Sequence, residues 1–138
     1  MSGIPGETWA FDLDGCLVGV LAPNELRPLA REVLERFRAS GITVVLWSAG
    51  GAAYARRIAE RVGIADLVGA YYDKVRGPDG KWTLVGFPTQ HRPVVCVDDE
   101  PGGVPDHVRS LAVPPYLGRR PHDRGLERIL EGLEKERA

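Results

Sequence analysis

The sequence predicts an α/β fold, a three-layer, Rossmann-like domain with a mostly parallel central sheet. Short apolar runs at residues 9–13, 42–47 and 93–97 each lead into polar residues, acidic in the first and last and Ser48 in the second, as buried parallel strands do when their carboxyl ends open onto a site. Segments with apolar residues at helical spacing alternate with or follow these runs. The 138 residues suffice for one ordinary domain and are too few for two. Residues 1–138 are therefore read as a single domain.

Taken in order, the first strand is residues 9–13. Over residues 28–39 Leu29, Val33 and Phe37 recur at helical spacing, Pro28 suits a first helical turn and Gly41 can end the helix. With residues 42–47 this makes a βαβ unit. A second helix is expected over 52–62, where Ala55, Ile58, Ala59 and Val62 form one stripe before the terminator Gly63. Another strand is expected near 67–72. Gly77-Pro78-Asp79-Gly80 separates two β-forming stretches, 71–75 and 81–87, and predicts a hairpin. After residues 93–97 come a loop rich in Pro and Gly and a short apolar stretch, 111–113, stopped by Pro114-Pro115. Residues 123–137 read as a closing helix with Leu126, Ile129, Leu130 and Leu133 on one face.

Composition narrows the function. The 18 basic and 19 acidic residues nearly cancel, so net charge does not indicate nucleic acid or anionic lipid as a partner. The longest apolar run, 42–47, is far short of the roughly 20 residues of a membrane helix. Residues 1–8 lack both the basic cluster and the apolar stretch of a secretory signal, so the expected address is the cytoplasm. The two cysteines, Cys16 and Cys96, lie in or beside apolar runs and are expected to be reduced.

The chemistry-bearing residues gather at strand ends. Asp12-Leu13-Asp14-Gly15 puts two carboxylates just after the first strand with a flexible glycine behind them. One acid can attack phosphorus while the other protonates the leaving oxygen and then deprotonates water. Ser48-Ala49-Gly50-Gly51 follows the second strand and precedes a helix, where a hydroxyl and loop amides can hold phosphoryl oxygens. Asp98-Asp99-Glu100 follows the strand at 93–97 and supplies hard oxygen ligands suited to Mg²⁺, which such an acidic site needs before it can face a phosphate. Lys74, at the presumed end of a strand, is the favoured cation for the transferring group, with Lys81 the alternative. His91, His107 and His122 have no metal-ligand spacing.

In this order the four clusters resemble the motifs of the haloacid dehalogenase superfamily: Phe11 to Gly15 as motif one, Ser48 as motif two, Lys74 or Lys81 as motif three, Asp98-Asp99 as motif four. The resemblance spans about residues 9–100 and implies a Mg²⁺-dependent phosphomonoesterase acting through an aspartyl phosphate. It implies Asp12 as nucleophile and Asp14 as general acid and base. Mg²⁺ would be held by the side chains of Asp12 and Asp99, with Asp98 supporting or sharing that role and Asp14 lending its main-chain carbonyl. The phosphate-side candidates are Leu13, Gly15, Ser48, Ala49 and Lys74 (or Lys81).

Members of that superfamily usually insert a cap domain after motif one or between motifs two and three, and neither interval has room here. A minimal or absent cap is expected, with an open site suited to a bulky phosphorylated substrate or covered by a second copy of the chain. Two other readings compete. A receiver domain shares Asp, Ser/Thr, Lys and Mg²⁺, but its acidic pair ends the first strand and its phospho-acceptor the third. A catalytically silent domain of the same fold could serve as a binding or regulatory module.

Overall fold

The computed structural model describes residues 6–137, with side chains from 6 to 132. Strands β1 (Thr8–Phe11), β2 (Thr43–Ser48), β3 (Ala70–Asp73), β4 (Val95–Asp98) and β5 (Arg109–Ala112) form one parallel sheet in the order β3-β2-β1-β4-β5. The helices are α1 (Ala30–Ala39), α2 (Ala52–Val62) and α3 (Glu127–Arg137). The α/β class with a parallel sheet is as the sequence predicts. The strand order is that of a doubly wound sheet and differs from the 2-1-3-4-5 order of receiver domains.

Handedness explains what covers each face. From β1 the chain steps to β2 and then β3 in one direction, and right-handed crossovers put α1 and α2 on the same face. There Val33, Leu34 and Phe37 of α1 and Ile58 of α2 pack with Trp9, Phe11, Val44, Leu46, Val95 and Val97 of the strands. From β3 the chain crosses back past β1 to β4, then on to β5, so these connections fall on the opposite face. Leu84, Phe87 and Val104 accordingly cover Ala10, Val45, Trp47 and Cys96. That third layer is irregular. Helix α3 returns to the first face, where Leu126 just before it and Ile129 within it are buried.

Several boundaries differ from the sequence reading. The first strand ends at Phe11, because the Leu13 carbonyl accepts the N–H groups of Cys16, Leu17 and Val18 and curls the chain. Pro28 stands ahead of α1, which begins at Ala30 after Leu29 adopts φ 74°. The strand expected near 67–72 begins at Ala70, after a 3₁₀ turn over Ala65–Leu67. The closing helix begins at Glu127 rather than 123. The hairpin forms but is short: Gly80 N–H donates to Gly77 O in the turn, Gly77 N–H to Lys81 O and Thr83 N–H to Val75 O across the arms, and one antiparallel bridge joins Arg76 to Trp82. Its second arm, expected to run to 87, stops at Thr83 because Leu84 and Phe87 dive beneath the sheet, with Phe87 N–H turning back to Leu84 O. Residues 1–5, part of the segment read as lacking a secretory signal, and the side chain of Leu133 lie outside the described residues.

Neither residues 16–27 nor the connection from β2 to β3 carries an inserted domain. Residues 16–27 form a compact loop whose Cys16, Leu17 and Val18 are buried, and β2 connects to β3 through α2 and a single 3₁₀ turn. Among the described residues no helix is long and apolar enough to cross a membrane.

Candidate active site

The carboxyl ends of β1 and β4 flank the point where the strand order reverses, and Asp12 and Asp98 sit there. Asp12 N–H donates to Val97 O, continuing the β1–β4 pairing past the end of β1. Carboxylate oxygens of Asp12, Asp98 and Asp99 lie within 4.8 Å of one another, an all-oxygen donor set that suits a hard divalent cation. Asp14 is not part of this group.

Lys74 follows β3, and its N–H donates to Ser48 O, which folds the chain over the end of β2. Its ammonium lies 3.2 Å from Asp12 Oδ1 and 2.6 Å from Asp98 Oδ2. The indole rings of Trp47 and Trp82 stand 5.0 and 5.2 Å from the same nitrogen. Two aromatic walls and two carboxylates thus hold this lysine with only 8% of its surface exposed. Gly103 permits the approach of Trp82, since a Cβ there would come within 2.8 Å of the indole nitrogen. Lys81 is elsewhere, paired with the exposed Asp106 at 2.7 Å.

One ammonium among three carboxylates leaves the site short of positive charge. Burial pushes the Asp12 carboxyl up to about 8 in spite of Lys74, and the neighbouring Asp98 and Asp99, with a hydrogen bond shared with Asp99, push the same way. Burial and the charge of Asp98 also hold the Asp99 carboxyl above its usual range. Burial pulls the Lys74 ammonium down, but Asp12 and Asp98 outweigh it and keep the lysine charged. Asp98 has its other oxygen occupied by Glu100 N–H at 2.9 Å.

The phosphate-side candidates divide. Ser48 is buried at the end of β2, and its hydroxyl oxygen accepts Gly50 N–H at 3.1 Å, which shapes the exposed Ala49-Gly50 turn. Leu13 is fully buried. Gly15 has φ 83° and its N–H is committed to Val18 O, so it offers space rather than a donor. A Cβ at Gly15 would come within 2.5 Å of Asp99 Oδ2. Asp14 accepts a hydrogen bond from the Tyr54 hydroxyl of α2 at 2.9 Å. Burial, followed by that bond and the Asp14 charge, pushes the Tyr54 phenol up to about 12, so it remains a donor.

Sequence reasoning missed three supports. Tyr54 is one, lying in α2 beside the stripe of Ala55, Ile58, Ala59 and Val62 rather than in it. Asp73 is another: its carboxylate accepts Ala52 N–H at 2.6 Å and caps α2 from the next strand. Arg27 is the third, 1% exposed, with its guanidinium on Asp123 Oδ1 at 2.7 Å and on the carbonyls of Gly15 and Cys16 at 3.4 and 3.2 Å. It ties the loop after β1 to the segment before α3. An arginine beside Pro28 carries no sequence signal of that role. Cys16 and Cys96 are unpaired and buried, and burial drives both thiols upward, to about 12 for Cys96.

Compared with protein-family models and with curated proteins, the chain matches none.

Proposed function

We propose that this chain is a Mg²⁺-dependent phosphohydrolase of the haloacid dehalogenase kind, a phosphomonoesterase that works through a phosphoaspartyl intermediate on Asp12. The observation that carries the reading is the meeting of Lys74 with Asp12 and Asp98, beside Asp99, at the ends of β1, β3 and β4. A nucleophilic carboxylate, a desolvated ammonium and hard oxygen ligands are the parts that phosphoryl transfer uses.

In this mechanism an Asp12 oxygen attacks phosphorus, the bond from phosphorus to the leaving oxygen breaks, and Asp14 gives that oxygen its proton. Water then attacks the acyl phosphate, Asp14 takes the proton, and inorganic phosphate leaves with Asp12 restored. Lys74 offsets charge on Asp12 and on the phosphoryl oxygens. Ser48 and Ala49 line the phosphate side, while Leu13 and Gly15 shape the turn that carries Asp14. Asp12, Asp98 and Asp99 would hold Mg²⁺, with the Asp14 carbonyl. When bound, the ion supplies the positive charge that lets an anionic substrate approach.

The short loop at 16–27 supports an open site and a bulky phosphorylated substrate, or a second copy of the chain covering the mouth. Two buried, unpaired cysteines support a reducing compartment, and the cytoplasm is the proposed one. The test is hydrolysis of an aryl phosphate with and without Mg²⁺, then a panel of phosphopeptides, phosphorylated DNA ends and phosphometabolites. Mg²⁺-dependent release of phosphate that Asp12→Asn abolishes supports the reading. No hydrolysis above background for any of them rejects it in favour of a catalytically silent module.

A further inference from the structure

Tyr54 lies in the first turn of α2, directly after the loop that leaves Ser48, and it touches two separate parts of the site. Its hydroxyl donates to Asp14 Oδ1 at 2.9 Å across 40 residues of sequence. Its ring lies against Gly50, where an added Cβ would come within 2.7 Å of the ring carbon Cδ2. The loop after β1 and the loop after β2 are thus joined through one side chain.

We infer that Tyr54 is a positioning residue for proton transfer, holding one oxygen of Asp14 so that the other is aimed at the leaving oxygen. The inference rests on the phosphohydrolase reading. A free aspartate side chain samples several staggered rotamers, and only a fraction of them can present a proton to one fixed atom. A hydrogen bond to Oδ1 selects one arrangement and leaves Oδ2 for chemistry. Misplacement of a reacting group by about 1 Å can cost on the order of 10²-fold in rate. The ring against Gly50 supplies the second anchor, because it fixes Tyr54 relative to the phosphate-side loop.

The test is Tyr54→Phe, which keeps the ring and removes the hydroxyl, assayed as kcat/KM over phosphomonoesters with leaving groups from nitrophenol to simple alcohols. This ratio reports the step in which the leaving group departs, and thermal unfolding checks that the variant is folded. Departure of a poor leaving group needs the proton, so the expected loss is about 10-fold for alkyl phosphates and less than about 2-fold for nitrophenyl phosphate. Asp14→Asn should show the same trend more strongly, and the double variant should be no worse than Asp14→Asn alone. If the wild-type protein is active and Asp14→Asn is sensitive to the leaving group, equal losses for both ester classes in Tyr54→Phe overturn the inference alone. So does a loss below 2-fold throughout. If Asp14→Asn shows no such sensitivity, or the wild-type protein shows no Mg²⁺-dependent hydrolysis, the phosphohydrolase reading fails and the inference fails with it.

Discussion

Among the described residues, Lys74 is the one cation in contact with both Asp12 and Asp98, and replacing it with alanine removes that charge. The two contacts, at 3.2 and 2.6 Å, join side chains that are 4%, 12% and 2% exposed, so water screens them little. Charge-assisted hydrogen bonds contribute about 1.5–3 kcal/mol each, and breaking a buried pair by deleting one partner costs about 3–5 kcal/mol. We therefore expect the metal-free variant to lose about 3–5 kcal/mol, or on the order of 10–15 °C in Tm for a domain of this size. Lys81→Ala, whose partner Asp106 is 88% exposed, should leave the unfolding midpoint close to that of the wild type.

The sign of the pH dependence adds a second check. The Asp12 carboxyl already titrates near 8, far above its value of 3.8 in an unfolded chain. Without Lys74 it should rise further, because the charge that opposed the rise is gone. A carboxyl whose pKa is raised on folding makes the native state bind more protons, so its folded state weakens as pH rises between the two values. The Asp12 carboxyls of wild type and variant both keep their proton up to about pH 7, so the gap between wild type and Lys74→Ala should stay level from pH 5 to pH 7 and widen above about pH 8, where only the wild-type group ionises. A saturating divalent cation should narrow it by restoring positive charge. The assay is urea unfolding of the wild type and both lysine variants at pH 5, 7 and 9, with and without MgCl₂. Equal midpoints for Lys74→Ala and Lys81→Ala, or a gap that shrinks as pH rises, would refute the reasoning.

Three further outcomes follow from the same geometry. Asp12→Asn should keep the fold and lower kcat by more than about 10³-fold, since an amide nearly preserves shape but cannot form the acyl phosphate; activity within tenfold of wild type would sink the covalent mechanism. Gly15→Ala should weaken Mg²⁺ binding by more than about tenfold, because the new methyl must displace Asp99 Oδ2 and the residue must hold a φ of 83°. Unchanged affinity in a calorimetric titration would remove Asp99 from the metal set. Mg²⁺ binding at pH 7 should release protons, since the ion replaces the proton on Asp12, so apparent affinity should rise with pH and level off above about 8. Calorimetry in two buffers of different ionisation enthalpy measures the released protons, and a pH-independent affinity from 6 to 8 would contradict this.

How much of this was legible in the sequence depends on whether a signal was local. Periodicity and chain terminators located α2 at residues 52–62, with Ala55, Ile58 and Ala59 buried, because a helix satisfies its backbone within its own segment. Apolar runs located the strands to within a few residues, because central parallel strands are buried on both faces. Partner-dependent features were not legible. The second arm of the predicted hairpin has the composition of a strand, yet Leu84 and Phe87 serve as cover for Trp47 and Cys96, a demand set by the handedness of the β3-to-β4 crossover. Lys74 was the favoured lysine because strand ends face the site, but the two indoles that wall it in come from β2 and from the segment Gly103 supports. Arg27 makes the contrast sharpest. Its guanidinium is buried between the Gly15 and Cys16 carbonyls and Asp123, and a Cβ at Gly125 would come within 2.8 Å of its central carbon. Asp12 and Asp14 depend on that turn, so the acids the sequence displayed most openly are held by an arginine and a glycine about a hundred residues apart that it did not single out.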